Sequence, residues 1–268
     1  MTTDLAAATA FYTEVVGWGA QDASMPGTPY TLLTVGDASV AGLMSLPELA
    51  HRSGATPRWV GYIGVADVAT TADRIAQRGG MVHVPPTEVP DISRIAIVAD
   101  PQTAMFGLIT WFDADDARVS ETDAAGRGGW HELLAADANT AFAFYAELFG
   151  WQKAEVSVDP SGAYQVFATG GQTIGGMFTK PAMVPVPFWL FYFNVSDIDA
   201  AAQRTKAAGG EVLEGPLGVR GGAWMVRCLD PQGAMFALIG QRSKKTAGYF
   251  ERAASPAASG PQGRRWSW

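Results

Sequence analysis

The chain of 268 residues repeats itself. Ala8 to Trp18 (ATAFYTEVVGW) aligns with Ala141 to Trp151 (AFAFYAELFGW) at seven of eleven positions, and Asp100 to Ile109 (DPQTAMFGLI) aligns with Asp230 to Ile239 (DPQGAMFALI) at eight of ten. Between these anchors the order is kept, with residues 30–33 matching 164–167 and residues 57–68 matching 187–198. The period of about 130 residues makes the repeating unit a domain rather than a turn of a short solenoid. The length suffices for two such domains, each with its own core. The first is expected over 1–113 and the second over 129–242. An exposed linker should cover 114–128 (acidic and nearly free of large apolar side chains), and a flexible tail 243–268. That tail ends in Trp266 and Trp268 beside Arg264 and Arg265, a pattern able to dock in an apolar groove.

In the second copy, residues 130–134 read as a short strand, and Asp137 or Asn139 caps a helix whose Phe142, Tyr145 and Phe149 recur at helical spacing before Gly150 ends it. Residues 164–169 and 172–178 read as strands flanking Gly170-Gly171. The pattern then recurs: a strand over 189–195, a helix over 197–208 closed by Gly209-Gly210, and a hairpin of 224–229 with 234–240 around Asp230-Pro231-Gln232-Gly233. The first copy starts late, because residues 1–5 leave little room for its opening strand. The aromatic tail or another chain's edge are possible substitutes, as is a start further upstream.

Composition narrows the partners. Apolar residues make up 48%, while 31 Gly and 16 Pro imply many turns and favour sheet over a helix bundle. The net charge of -7 opposes nucleic-acid binding. A single cysteine, Cys228, excludes an intramolecular disulfide and a thiolate zinc site, as expected of a cytoplasmic protein. Neither a signal peptide nor a run long enough to span a membrane is visible. There is no GxGxxG, GxxxxGK[ST], GxSxG or HExxH motif, so nucleotide-dependent, phosphotransfer and serine-hydrolase readings lose their main support.

The FYxELFGW segment after the first strand, the Gly-Gly pairs before Pro85-Pro86 and Pro216, and the DPQGAMFAL hairpin resemble the vicinal oxygen chelate superfamily, the glyoxalase, bleomycin-resistance and extradiol-dioxygenase group, in its two-domain glyoxalase-like branch. The resemblance covers nearly the whole chain up to about residue 242. It implies an α+β fold of tandem domains, each made of two paired βαβββ modules curving around a cavity. Members with a metal hold it with His, Gln or Glu on the first and last strands of each module. Here the aligned positions are Trp130, Leu190 and Ala237 in the second domain and Val60 and Gly107 in the first, and residues 172–180 and 38–47 supply no carboxylate or imidazole. Divalent metals need several N, O or S donors. No cofactor is therefore expected, the alternative being one divalent metal such as Zn, Ni, Mn or Fe held by other residues.

With Trp130 facing the cavity, strand alternation places Glu132 and Leu134 on the same face and His131 on the other. Glu132 becomes the candidate catalytic acid or base in an apolar pocket. The same alternation from Leu190 turns Tyr192 and Asn194 inward, and from Val60 it turns Tyr62 inward. Met235 flanks Ala237 on the cavity floor, and Trp189 is a further aromatic candidate. Arg94 could grip a ligand carboxylate or form a rim ion pair. His51 in a loop and His83 in a short strand make no metal site with His131. The expected function is metal-free binding of a small, mostly apolar or aromatic organic molecule. The alternative is a glyoxalase-like lyase, hydroxylase or dioxygenase, cofactorless with Glu132 or metal-dependent. A homodimer is possible.

Overall fold

The computed structural model describes residues 1–113, 124–159 and 162–243. Most of the expected linker and all but the first residue of the expected tail, with Trp266 and Trp268, fall outside the described residues. The first half runs α1 (Leu5–Val16), β1 (Gly19–Asp22), β2 (Tyr30–Val35), β3 (Ala38–Met44), α2 (Glu48–Arg52), β4 (Tyr62–Gly64), α3 (Val68–Gln77), β5 (Met81–Val89), β6 (Ser93–Ala99) and β7 (Met105–Trp111). The second runs β8 (Gly128–Ala135), α4 (Ala138–Phe149), β9 (Gln152–Asp159), β10 (Gly162–Thr169), β11 (Gln172–Thr179), β12 (Phe188–Val195), α5 (Ile198–Ala207), β13 (Glu211–Gly218), β14 (Trp224–Leu229) and β15 (Met235–Gly240). His51 lies in α2 rather than in a loop.

Each of the four long helices starts on an aspartate. Asp4, Asp67, Asp137 and Asp197 accept from the amide three residues on, satisfying one of the orphan donors of the first turn. Asp137, not Asn139, is thus the cap of α4. Gly17 and Gly150 close α1 and α4 in the left-handed region that glycine adopts without strain.

The second half forms one sheet in the order β13-β14-β15-β12-β8-β11-β10-β9. Its centre is β8, antiparallel to β12 and parallel to β11, with Glu132 opposite Leu190 on one side and Gly176 on the other. In the first half the corresponding surface is split into a sheet β1-β2-β3 and a sheet β4-β7-β6-β5. Thr2 alone takes up the missing pairing, bridging Ser45 in parallel as Ala135 bridges Thr179, with its amide on Met44 O at 3.0 Å and its carbonyl accepting from Leu46 N at 2.7 Å. The sequence pattern marks only a short strand at His83 within β5 and none at β13. Both lie at sheet edges, with register shifts where Pro85-Pro86 and Pro216 interrupt the ladder, since proline cannot donate to it.

The halves are held together crosswise. One buried cluster joins α3, β6 and β7 to α4 and β8, and another joins α1 to α5, β12, β14 and β15. Each helix carrying the repeated Phe-Tyr pair thus packs against the second module of the other half. At the centre of each crossing the tyrosine meets the aspartate of the other half's Asp-Pro-Gln turn. Tyr12 donates to Asp230 at 2.9 Å, and Tyr145 donates to Asp100 at 3.1 Å. The other oxygen of Asp230 accepts from the amides of Gln232 and Ala234 at 3.0 and 2.8 Å. Asp100 does the same with Gln102 and Ala104, both at 2.9 Å. A tryptophan completes each set: Trp59 donates to the Tyr12 hydroxyl at 2.7 Å and Trp189 to that of Tyr145 at 3.1 Å.

Asp230 is therefore the hub of one crossing. Asp230→Ala removes the acceptor from Tyr12 and from two turn amides at once and should lower unfolding free energy by about 2–4 kcal/mol, against about 1–2 kcal/mol for Tyr12→Phe. Urea denaturation followed by tryptophan fluorescence and circular dichroism measures both. Equal losses would remove the carboxylate from that role.

Candidate functional site

The concave face of the second half's sheet carries the candidate site. Strand alternation sends Leu133 and Ala135 to the helix side, where they join the core, and sends Trp130, Glu132 and Leu134 to the concave side. On β12 the same rule turns Phe188, Leu190 and Tyr192 inward, and on β15 Met235, Ala237 and Ile239. The floor of this cup is sealed, with Leu190, Tyr192, Ala237, Leu134 and Met225 all buried. Its walls, including Trp130, Phe178, Phe188, Met235 and Ile239, are half-buried.

One polar cluster stands in this apolar cup. Glu132 is only 5% exposed, yet both carboxylate oxygens are satisfied. Tyr164 donates to Oε1 at 3.0 Å, while Tyr192 donates to Oε2 at 2.9 Å and Arg227 Nη2 reaches the same oxygen at 3.3 Å. Trp130 in turn donates to the Tyr164 hydroxyl at 2.8 Å, and Arg227 Nη1 pairs with Glu214 at 2.7 Å. Three strand intervals separate Arg227 on β14 from Glu132 on β8. On a flat sheet that is about 14 Å, so the contact requires the sheet to curve. Ala237 lies between Tyr192 and Arg227 in register, and its methyl leaves room for both. Gly176 does the same for Tyr164, whose ring occupies the space a Cβ at that position would fill.

The electrostatics keep the cluster's phenols neutral. Burial, reinforced by the Glu132 charge, holds both the Tyr164 and the Tyr192 hydroxyl well above the usual tyrosine range. Arg227 is raised despite its burial, because Tyr192 and the two glutamates favour its charge. Its Nε is buried with no hydrogen-bond partner, a donor left over inside the cup.

The structure brings together Trp130, Glu132 and Tyr192, with Met235 on the same apolar wall. The other expected site residues lie elsewhere. Asn194 stands near the C-terminal end of β12, over Gly129, and donates to Ala124 O at 3.3 Å. Trp189 faces the helix side and serves the Tyr145 crossing, because it alternates with Leu190. Arg94 lies within β6 and pairs with Glu88 at the rim, so the rim ion pair is its use. Tyr62 lies across Gly107 in the first half and is 44% exposed. His131 points away from the cup, bonded through Nδ1 to Ile174 O at 2.8 Å, and burial lowers its pKa. Sequence reasoning missed Tyr164 and Arg227. Tyr164 was visible as the repeat partner of Tyr30, and Arg227 falls two residues from Met225 on the concave face of β14.

The donor chemistry bears on metal binding. Among the described residues, no three of His, Cys, Asp and Glu come together as a ligand group. The carboxylates nearest the cup, Glu132 and Glu214, share one guanidinium. Cys228 is buried on the helix side with its thiol pushed up to about 12 by burial, a poor thiolate donor. This set does not fit a divalent cation.

A tyrosine in water ionises near pH 10, and these two ionise higher in the folded chain. Their contribution to stability is complete below about pH 10 and falls as pH rises further, because only the unfolded chain then releases their protons. Urea midpoints should hold between about pH 8 and 9.5 and drop above 10. In Glu132→Gln, ultraviolet titration should show tyrosine ionisation at lower pH than in the native chain. An unchanged titration would mean that the carboxylate does not set these phenols.

The chain is similar to known proteins in family, in sequence and in fold. The model of the glyoxalase, bleomycin resistance protein and dioxygenase superfamily matches residues 1–108 and 127–238. CFP32 of Mycobacterium tuberculosis, named provisionally as a glyoxylase, is 33% identical over 241 residues, covering 89% of this chain and 91% of CFP32. The anthracycline biosynthesis protein DnrV of Streptomyces peucetius is 32% identical over 129 residues, 43% of this chain and 47% of DnrV. Among solved structures, the 2,3-dioxygenase LapB of Pseudomonas sp. KL28 superposes with a TM-score of 0.62 at 13% identity, over 90% of this chain and 89% of LapB. The Mn(II)-bound glyoxalase of Novosphingobium aromaticivorans gives 0.58 at 17% identity, over 90% of this chain and 79% of that one.

Proposed function

Since the chain belongs to the glyoxalase, bleomycin resistance protein and dioxygenase superfamily, we propose that it is a metal-free member whose second domain binds a small, oxygenated aromatic molecule. The observation that carries this reading is the Glu132 cluster. Where metal chemistry would need vacant donors converging on one point, a carboxylate is bound by two tyrosines and an arginine inside an apolar cup. The half-buried walls offer aromatic and thioether surface to a flat ligand. The phenol oxygens offer acceptors to its hydroxyl groups. The anthracycline association in the name of DnrV supports the aromatic ligand class.

The enzymatic alternative, with Glu132 as acid or base, is less well supported. Its two oxygens already accept three hydrogen bonds, which suits an anchor for the tyrosines better than a group free to take a substrate proton.

Calorimetric titration of the full chain with 1,8-dihydroxyanthraquinone should show one site with a dissociation constant near or below 100 µM, about -5.5 kcal/mol. Tyr164→Phe should weaken it several-fold and Glu132→Leu about tenfold or more, with elemental analysis finding no metal near one equivalent. One retained metal per chain together with turnover of a glyoxalase hemithioacetal or a catechol would overturn the reading.

A further inference from the structure

A second concavity opens on the pseudo-twofold axis between the halves, and it meets the Glu132 cup only at the shared wall residues Phe188 and Met235. It is a cleft of about 430 Å³, within the range of small-molecule sites. Its two walls are repeat equivalents, 130 residues apart, yet their chemistry differs. The first half contributes Thr56, Arg58 and Thr103 where the second contributes Val186, Phe188 and Gly233. One wall is polar and cationic, and the other is apolar.

Several features show that the cleft is built. Trp59 and Trp189 line it from opposite walls, and each indole is fixed by its hydrogen bond to Tyr12 or Tyr145, so flat aromatic surface is held without further ordering cost. Thr103 adopts φ 78°, the left-handed region, where the equivalent Gly233 sits at 89° without penalty. Holding a threonine there costs on the order of 1 kcal/mol, and it keeps a hydroxyl-bearing residue on the polar wall. The Arg58 guanidinium has only neutral partners, while the Met1 ammonium, donating to the Arg58 carbonyl at 3.1 Å, adds a second positive charge beside it. Nε donates to Thr56 O at 3.2 Å, Nη2 to Thr56 Oγ1 at 3.4 Å, and Nη1 lies 3.2 Å from Met105 Sδ, a weak acceptor. Among the described residues no carboxylate lies within ion-pair distance of it, so its charge faces the cleft uncompensated.

We propose that this cleft binds a small amphipathic carboxylate, its anionic group on Arg58 and its apolar body against Trp189, Phe188 and Val186. A carboxylate exchanges the sulfur contact for a charge-assisted hydrogen bond, with the planar guanidinium suited to bidentate pairing. A cation is repelled by Arg58, and a neutral apolar molecule leaves the polar wall unmatched.

Calorimetry on the full chain with benzoate, 2-naphthoate and octanoate tests the assignment, with 2-naphthamide as the neutral isostere. At least one carboxylate should saturate one site, the amide should bind at least tenfold more weakly, and Arg58→Met should weaken the carboxylate at least tenfold with an unchanged thermal midpoint. Val186→Trp, which fills the apolar half, should weaken it as much. Loss of binding in Glu132→Gln with retention in Arg58→Met would place the ligand in the cup and overturn the proposal. So would the absence of saturable binding by any of the three up to 5 mM, or carboxylate binding that survives both cleft variants.

Discussion

Two hydrogen bonds buried between the halves, Tyr12 to Asp230 and Tyr145 to Asp100, fix the arrangement on which everything else rests. Each aspartate holds its own hairpin turn with one oxygen and the opposite half's helix with the other. Turn geometry and the packing of the two halves are thereby set by the same side chain. Burial raises the Asp100 carboxyl even though it accepts several hydrogen bonds, so its charge is held at a cost that the tyrosine and the turn amides offset. The two most strongly repeated stretches of the sequence are the two sides of this contact. Stacked and edge-on aromatic pairs around it, such as Tyr145 on Trp151 at 5.1 Å and Tyr12 against Trp59 at 5.0 Å, exclude water from the bond.

With the convex faces of the sheets taken up by helices, the concave faces carry no helix, and the two halves line theirs differently. In the second half β8 completes the sheet and carries Glu132 into the cup, where Tyr164 and Tyr192 close on it. In the first half Tyr30 and Tyr62 lie over Gly42 and Gly107 as their counterparts' positions require, but among the described residues no carboxylate meets them. The asymmetry therefore comes from one strand. Along the axis between the halves, a second asymmetry sets Arg58 against Phe188.

Much of this was legible in the sequence, for reasons that are physical. The repeat and the family motifs gave the α+β fold, and strand alternation put Trp130, Glu132 and Tyr192 on one face and His131 on the other, because a two-residue period needs no tertiary information. It should also have separated Trp189 from Leu190, which lies next to it on the strand. What alternation cannot supply is register between strands far apart in the chain. Arg227 meets Glu132 across 95 residues and three strand intervals, and Tyr12 meets Asp230 across 218 residues. Arg94 was ambiguous for the same reason: its neighbour Glu88 is set by the bulged pairing of β5 with β6.

If the second cup meets an organic ligand and not a metal, the phenols around Glu132 should respond to the ligand alone. Nuclear magnetic resonance on protein labelled with carbon-13 at tyrosine Cζ tests it directly, since Tyr164 and Tyr192 report from within hydrogen-bond distance of Glu132. One equivalent of Mn(II) should leave both signals unbroadened, while 1,8-dihydroxyanthraquinone shifts them and leaves Tyr12 and Tyr145 in place. Selective paramagnetic broadening of Tyr164 and Tyr192 by Mn(II), with no response to the quinone, would contradict the account.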